Sequence, residues 1–127
     1  MSTRSRTPAK PISPRLHGIL DYGLAAANLT MPSLLRLPPA VTGVFAAFGA
    51  IQGALNAVTT QPLALEKVVP FALHGALEKS SAPLFVLAPL VAGAAASRRS
   101  RRYWLVTGAV LVAVYNLTDW KAKKTGR

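Results

Sequence analysis

Three long uncharged segments divide the chain into apolar stretches separated by short charged ones. No charged residue occurs between Leu37 and Leu65, between Ser80 and Ser97, or between Tyr103 and Thr118, which are runs of 29, 18 and 16 residues. A helix that crosses the roughly 30 Å hydrocarbon core of a bilayer needs about 20 apolar residues. Together with the apolar stretch after Pro14, the pattern predicts an all-α protein, an integral membrane four-helix bundle.

Proline, glycine and charge mark the ends of these elements. Ser13 followed by Pro14 is a good helix start, because serine caps and proline fits the first turn. Pro38 and Pro39 separate the first two helices. The predicted organisation is a basic disordered tail (1–13), repeat 1 (14–62) with helices over about 14–35 and 40–59, repeat 2 (63–120) with helices over about 69–96 and 103–120, and a basic C-terminal tail (121–127).

A short motif occurs once in each half of the chain. Leucine, histidine, glycine and an acid recur in the pattern L-H-G-x-L-D/E, with His17 and Asp21 in the first copy and His74 and Glu78 in the second, 57 residues later. A proline follows each histidine by 15 residues. Each histidine and acid lie one helical turn apart on the same face. The chain is therefore predicted to contain two parallel two-helix repeats, related by a pseudo-two-fold axis along the membrane normal.

Basic residues cluster at the ends of the predicted spans. The formal net charge is +11, which in a soluble protein would suggest nucleic-acid binding. At the ends of spans it instead indicates topology and contact with anionic lipids. The side that holds both termini carries nine Lys and Arg residues and the other side five, so we predict a multi-pass protein of the bacterial inner (plasma) membrane with both termini cytoplasmic. Cysteine is absent, which excludes disulfides and thiol catalysis.

Two features indicate contact with other membrane components. Gly49 and Gly53 form a GxxxG motif in the second helix, and small residues of this kind allow close helix packing in lipid. Four arginines lie on the predicted non-cytoplasmic side, where they favour a partner protein or lipid: Arg98, Arg99, Arg101 and Arg102.

The two motifs place an intramembrane polar cluster near one face of the bilayer: His17, Asp21, His74, Glu78 and the adjacent Lys79. Ionisable groups at membrane depth face the bundle interior and pair with one another, so we expect a structural cluster with neither metal nor cofactor. Three alternatives stay open. The histidines could bind haem or chlorophyll, the two histidines and two acids could bind a transition metal, or the pairs could form a proton or solute path in a small channel or carrier.

The duplicated unit resembles the small bacterial membrane proteins built from SPW repeats. The likeness rests on a proline late in the first helix of each copy, within Met31-Pro32-Ser33 and Ala88-Pro89-Leu90, and on the H-G-x-x-D opening. Serine does not precede either proline and no tryptophan follows it. The resemblance implies an integral membrane architecture of unknown activity.

No motif of a catalytic site is present. The sequence lacks a glycine-rich phosphate loop, a nucleophile elbow and a third histidine for a hydrolytic zinc site. We therefore predict a non-enzymatic membrane protein, a structural or accessory subunit of a larger membrane complex.

Overall fold

Four α-helices account for most of the structure, a computed structural model that describes residues 9–122. They are α1 (Pro14–Leu34), α2 (Pro39–Ala57), α3 (Phe71–Val91) and α4 (Arg98–Leu117). The prediction of an all-α four-helix bundle is confirmed, and two of the helices begin and end within two residues of the predicted bounds.

The remaining two helices differ from the prediction because of local signals around residue 93. Helix α3 ends at Val91, and Gly93 then adopts φ +100°, a left-handed conformation that glycine tolerates. Ser97 caps α4 by accepting a hydrogen bond from the Ser100 amide at 3.2 Å. The arginine-rich segment 98–102, predicted as a turn, is therefore the first turn of α4.

Contacts at the two ends of the bundle fix the helix directions. The first turns of α1 and α3 meet at one end, where they also contact the last residues of α2 and α4. At the other end Tyr103, early in α4, donates a hydrogen bond to Asn28, late in α1, at 2.7 Å. Helices α1 and α3 therefore run in one direction, and α2 and α4 run in the other.

The segment before each first helix pairs with the end of a second helix. The Ile12 amide donates to the Leu117 carbonyl and the Ile12 carbonyl accepts from the Asp119 amide, at 3.0 and 2.8 Å. Val69 makes the same two bonds with Val58 and Thr60, at 2.8 and 2.7 Å. The described end of the predicted N-terminal tail is thus attached to the bundle, whereas residues 1–8 and 123–127 of the predicted tails lie outside the described residues.

Apolar and polar residues occupy opposite ends of the interior. The apolar end is a cluster of Leu37, Val41, Phe45, Phe48 and Ala94. The polar end is formed by buried histidine, carboxyl, amide and hydroxyl groups. The division places the two histidine motifs in one buried volume.

The outer surface of the bundle is rich in large apolar side chains. Among the described residues 21 large hydrophobic side chains are exposed, including Leu34 at 73%, Ile51 at 66% and Val91 at 87%. By length and composition, however, only α2 is apolar enough to cross a membrane within the described part of the chain. The four predicted spans are not supported by that criterion, because polar and charged residues lie within the other three helices.

Candidate functional site

The two histidines and two acids of the repeated motif meet in one cluster at the polar end of the bundle. His17 Nε2 lies 3.3 Å from Asp21 Oδ2 and 3.4 Å from Glu78 Oε1. His74 Nε2 lies 3.0 Å from the same Asp21 oxygen and 3.3 Å from the same Glu78 oxygen. One atom from each side chain faces a common centre, and these four atoms lie within 4.8 Å of one another.

Burial of this four-residue centre is nearly complete. The side chains of His17 and Asp21 are 0% exposed and that of His74 is 1% exposed, whereas Glu78 retains 20%. Taking isolated charges out of water is costly unless they are compensated. The centre therefore requires a charge balance within itself, and Glu78 is its one route to the outside.

Each histidine is oriented by a threonine at the end of a helix from the other half of the chain. His17 Nδ1 lies 2.9 Å from Thr118 Oγ1, and His74 Nδ1 lies 2.7 Å from Thr59 Oγ1. Both hydroxyls donate their proton to a backbone carbonyl four residues earlier, at 2.5 and 2.6 Å. Each hydroxyl oxygen is therefore left to accept from Nδ1–H, which places the lone pair of a neutral imidazole on Nε2, facing the centre.

A buried amide orients one of the carboxylates. Gln52 Nε2 donates to Asp21 Oδ1 at 3.3 Å, which leaves Oδ2 facing both histidines. His17 Nε2 and Asp21 Oδ2 are fully buried, and neither has a partner with hydrogen-bond geometry. Buried polar atoms without a partner are uncommon. These two point at each other's neighbourhood across the centre, so the vacancy in hydrogen bonding coincides with the place where the four atoms converge.

The distances between these atoms match the edges of a small coordination tetrahedron. Nitrogen and oxygen ligands bind Zn²⁺ at about 2.0–2.1 Å, which gives tetrahedral edges of roughly 3.3–3.4 Å. The four histidine-to-carboxylate distances are 3.0–3.4 Å. The centre thus has the size of a single ion. Haem or chlorophyll would need a macrocycle between groups that already lie this close.

The glycine after each histidine allows a side chain to cover the motif. A Cβ on Gly18 would lie 2.4 Å from Gln61 Oε1, and a Cβ on Gly75 would lie 2.7 Å from Trp120 Cε3. Trp120 also packs on His17, with ring centroids 4.7 Å apart. The indole is thus part of the cover over the site.

The other predicted site residues lie elsewhere. Lys79 is exposed and lines an open cavity beside the centre. The arginines lie at the opposite end, where Arg99 Nη1 donates to the last-turn carbonyl of Leu35 at 2.8 Å and Arg101 Nη1 to Ala95 at 3.2 Å. Cations that bond the carbonyls of a helix C-terminus stabilise it. Two of the four arginines thus have a structural role within the chain.

Gly49 of the predicted packing motif lies against α1. A Cβ there would be 2.7 Å from the Ala25 carbonyl oxygen, whereas a Cβ on Gly53 would make ordinary contact with Ala25 Cβ at 3.4 Å. The close approach is therefore within the chain and is concentrated at Gly49.

Sequence reasoning missed the threonines, Gln52 and Trp120 as parts of the site. A signal was available, because Thr59 and Thr118 are 59 residues apart and so are Gln61 and Trp120. A search for a single repeat offset of 57 does not find them. Comparisons of the chain with protein-family models, curated proteins and solved structures found no match.

Proposed function

We propose that the protein binds one divalent transition-metal ion through His17, Asp21, His74 and Glu78. The observation that carries the proposal is the convergence of two Nε2 atoms and two carboxylate oxygens on one buried centre. Two neutral imidazoles and two carboxylates carry a charge of −2, which a divalent cation cancels. The loaded site is then neutral, as burial in an apolar environment requires.

A cluster of two imidazolium ions and two carboxylates would be neutral as well. That arrangement needs an Nε2–H donated from each ring to a carboxylate, yet His17 Nε2 and Asp21 Oδ2 lack hydrogen-bond geometry. A metal ion has no such requirement, because it takes the lone pairs of all four atoms. The two threonines and Gln52 then act as the outer-shell partners that orient metal ligands.

Zinc suits this donor set best. Two imidazole nitrogens and two carboxylate oxygens in a tetrahedral arrangement are ligands that Zn²⁺ accepts, and sites closed by four protein ligands are structural. In this role the ion joins α1 to α3, and therefore one half of the chain to the other. Such a role agrees with a non-enzymatic protein.

We further propose that the bundle is embedded in a membrane and serves as a structural or accessory subunit. The distribution of side chains supports this proposal, because the interior holds Asp21, Asn56 and both histidines at 0–1% exposure while leucines and valines cover the outside. Extended apolar surfaces mark contact with lipid or protein, and ionisable groups in membranes face inward. Arg98 and Arg102 lie at the end of the bundle in a groove beside Arg36, where anionic lipid or an acidic partner suits them.

The matching contacts of the two halves support an origin by duplication. Ile12 and Val69 pair with equivalent residues, and each half supplies the threonine that orients the other half's histidine. With α1 and α3 parallel, the repeats would insert in the same sense and place both termini on one side.

Metal analysis tests the proposal directly. Protein purified in mild detergent and dialysed against zinc, then against metal-free buffer, should retain one zinc ion per chain by elemental mass spectrometry. A chain that retains no zinc, and no iron, cobalt or manganese after the same treatment with those ions, would contradict it.

Replacing the orienting threonines should weaken zinc binding without removing a ligand. We expect Thr59→Val and Thr118→Val each to lower zinc affinity by about 10–100-fold, the usual cost of losing an outer-shell partner of a ligating histidine. Competition with a chromophoric chelator measures the affinity. Thr30→Val is the matched control, because the Thr30 hydroxyl also donates to a carbonyl four residues earlier, at 2.8 Å, but contacts no histidine. Equal affinities in all four proteins would show that the threonines do not act on the metal.

A further inference from the structure

A cavity of about 520 Å³ opens between α2, α3 and α4, next to the four-residue centre. Its volume lies within the range typical of small-molecule sites. The walls are apolar side chains, with Phe48 and Trp104 towards one end of the bundle and His74, Glu78 and Gln52 towards the other. The cavity is thus long, apolar along its length and polar at the end that borders the centre.

One polar atom at this end has no partner. Gln52 lines the cavity and is 9% exposed, and its Oε1 makes no hydrogen bond. The amide cannot turn to exchange its two ends freely, because its Nε2 donates to Asp21 Oδ1 at 3.3 Å. An acceptor held in this way lowers its free energy only when a donor reaches it from the cavity.

The surroundings restrict the chemistry of that donor. A cationic donor would have to leave water for apolar walls, which is costly, and it would meet Lys79 in the cavity lining. An anion would meet Glu78. A neutral hydroxyl supplies a donor at little desolvation cost, and an apolar chain attached to it suits the remaining walls.

We propose that this cavity binds a membrane-dissolved alcohol, with its hydroxyl donating to Gln52 Oε1 and its apolar chain extending along α4 towards Trp104. The inference rests on the proposed function only in that a bilayer would supply the ligand. It does not require the metal ion.

Quenching of Trp104 fluorescence by a brominated probe tests the assignment. The probe is a terminally brominated dodecanol, added to the full chain in detergent micelles, and the reference is the methyl ether of the same compound, which has the same chain and no donor. We expect saturable quenching by both, with half-saturation at about tenfold lower mole fraction for the alcohol, the effect of one hydrogen bond to a buried acceptor. Trp104→Phe should abolish the saturable signal.

Two variants separate the head group from the chain. Gln52→Leu removes the acceptor and should abolish the preference for alcohol over ether. Gly108→Leu should prevent saturable quenching by either probe, because Gly108 lines the cavity and a Cβ there meets no atom within 4 Å, so the side chain has room to fill the space. Gly43→Leu is its control, since Gly43 is equally unobstructed but does not line the cavity.

The outcomes distinguish this inference from the proposed metal site. Equal quenching by alcohol and ether in the unmodified protein would overturn the assignment and show a groove that accepts any lipid chain. Quenching that rises without saturation would show that no site exists. Zinc content measured on the same samples reports separately on the metal, so a chain that discriminates alcohol from ether without zinc would retain this inference and contradict the proposed function.

Discussion

The Asp21→Asn variant is expected to purify without zinc. Asparagine keeps the shape of the side chain but removes one of the two negative charges, so a bound dication would leave an uncompensated positive charge in a fully buried centre. Since loss of an outer-shell partner alone costs about 10–100-fold in affinity, loss of this ligand should cost at least about 100-fold. The chelator competition measures the affinity, and a melting curve with and without EDTA gives an independent reading.

The melting temperatures should show the same dependence on the ion. A ligand that binds only the folded state at 100 times its dissociation constant stabilises that state by about 2.7 kcal/mol. EDTA should therefore lower the melting temperature of the unmodified protein and leave that of Asp21→Asn unchanged. Glu66→Gln is the control, because Glu66 is exposed in the loop between α2 and α3. An Asp21→Asn protein that retains stoichiometric zinc would rule out this carboxylate as a ligand.

The Gly49→Leu variant should lose more stability than any other substitution in α2. The new Cβ would lie 2.7 Å from the Ala25 carbonyl oxygen, a backbone atom that cannot move without displacing α1. Overpacking of this kind costs about 1–3 kcal/mol and occasionally more. The gain in helix propensity from replacing glycine is about 1 kcal/mol at most, so the clash should prevail. Thermal unfolding in detergent, followed by circular dichroism, measures the difference.

Gly43→Leu provides the comparison, because it makes the same change in the same helix with no atom within 4 Å of the new Cβ. We expect it to be neutral or slightly stabilising. If both variants melted together with the unmodified protein, α1 and α2 would not be packed as described.

Much of the fold could be predicted from local signals. Ser13 and Pro14 start α1, and Pro38 and Pro39 separate it from α2, because capping and the geometry of proline act over a few residues. The start of α4 was misjudged because four arginines at a helix N-terminus oppose the helix dipole. In the structure Ser97 caps this end, and Arg99 and Arg101 bond carbonyls near other helix ends, which no local pattern indicates.

The site could be predicted in part. The spacing of each histidine and acid places them on one face, and the repeat suggests that both pairs meet. The pairing across the centre, in which Asp21 lies closer to His74 than to His17 at 3.0 against 3.3 Å, depends on how α1 and α3 pack. The contribution of Thr59 and Thr118 depends on the ends of two other helices, at a different offset from the histidines. Sequence pattern alone does not report these tertiary contacts.

The most direct test of the metal centre is X-ray absorption at the zinc edge of the loaded protein in detergent. The account predicts a first shell of four nitrogen and oxygen atoms at about 2.0–2.1 Å, with the outer-shell scattering of two imidazole rings. A shell of six oxygens without imidazole scattering would contradict it, because zinc would then be bound at the surface and the four residues would form only an ionic cluster.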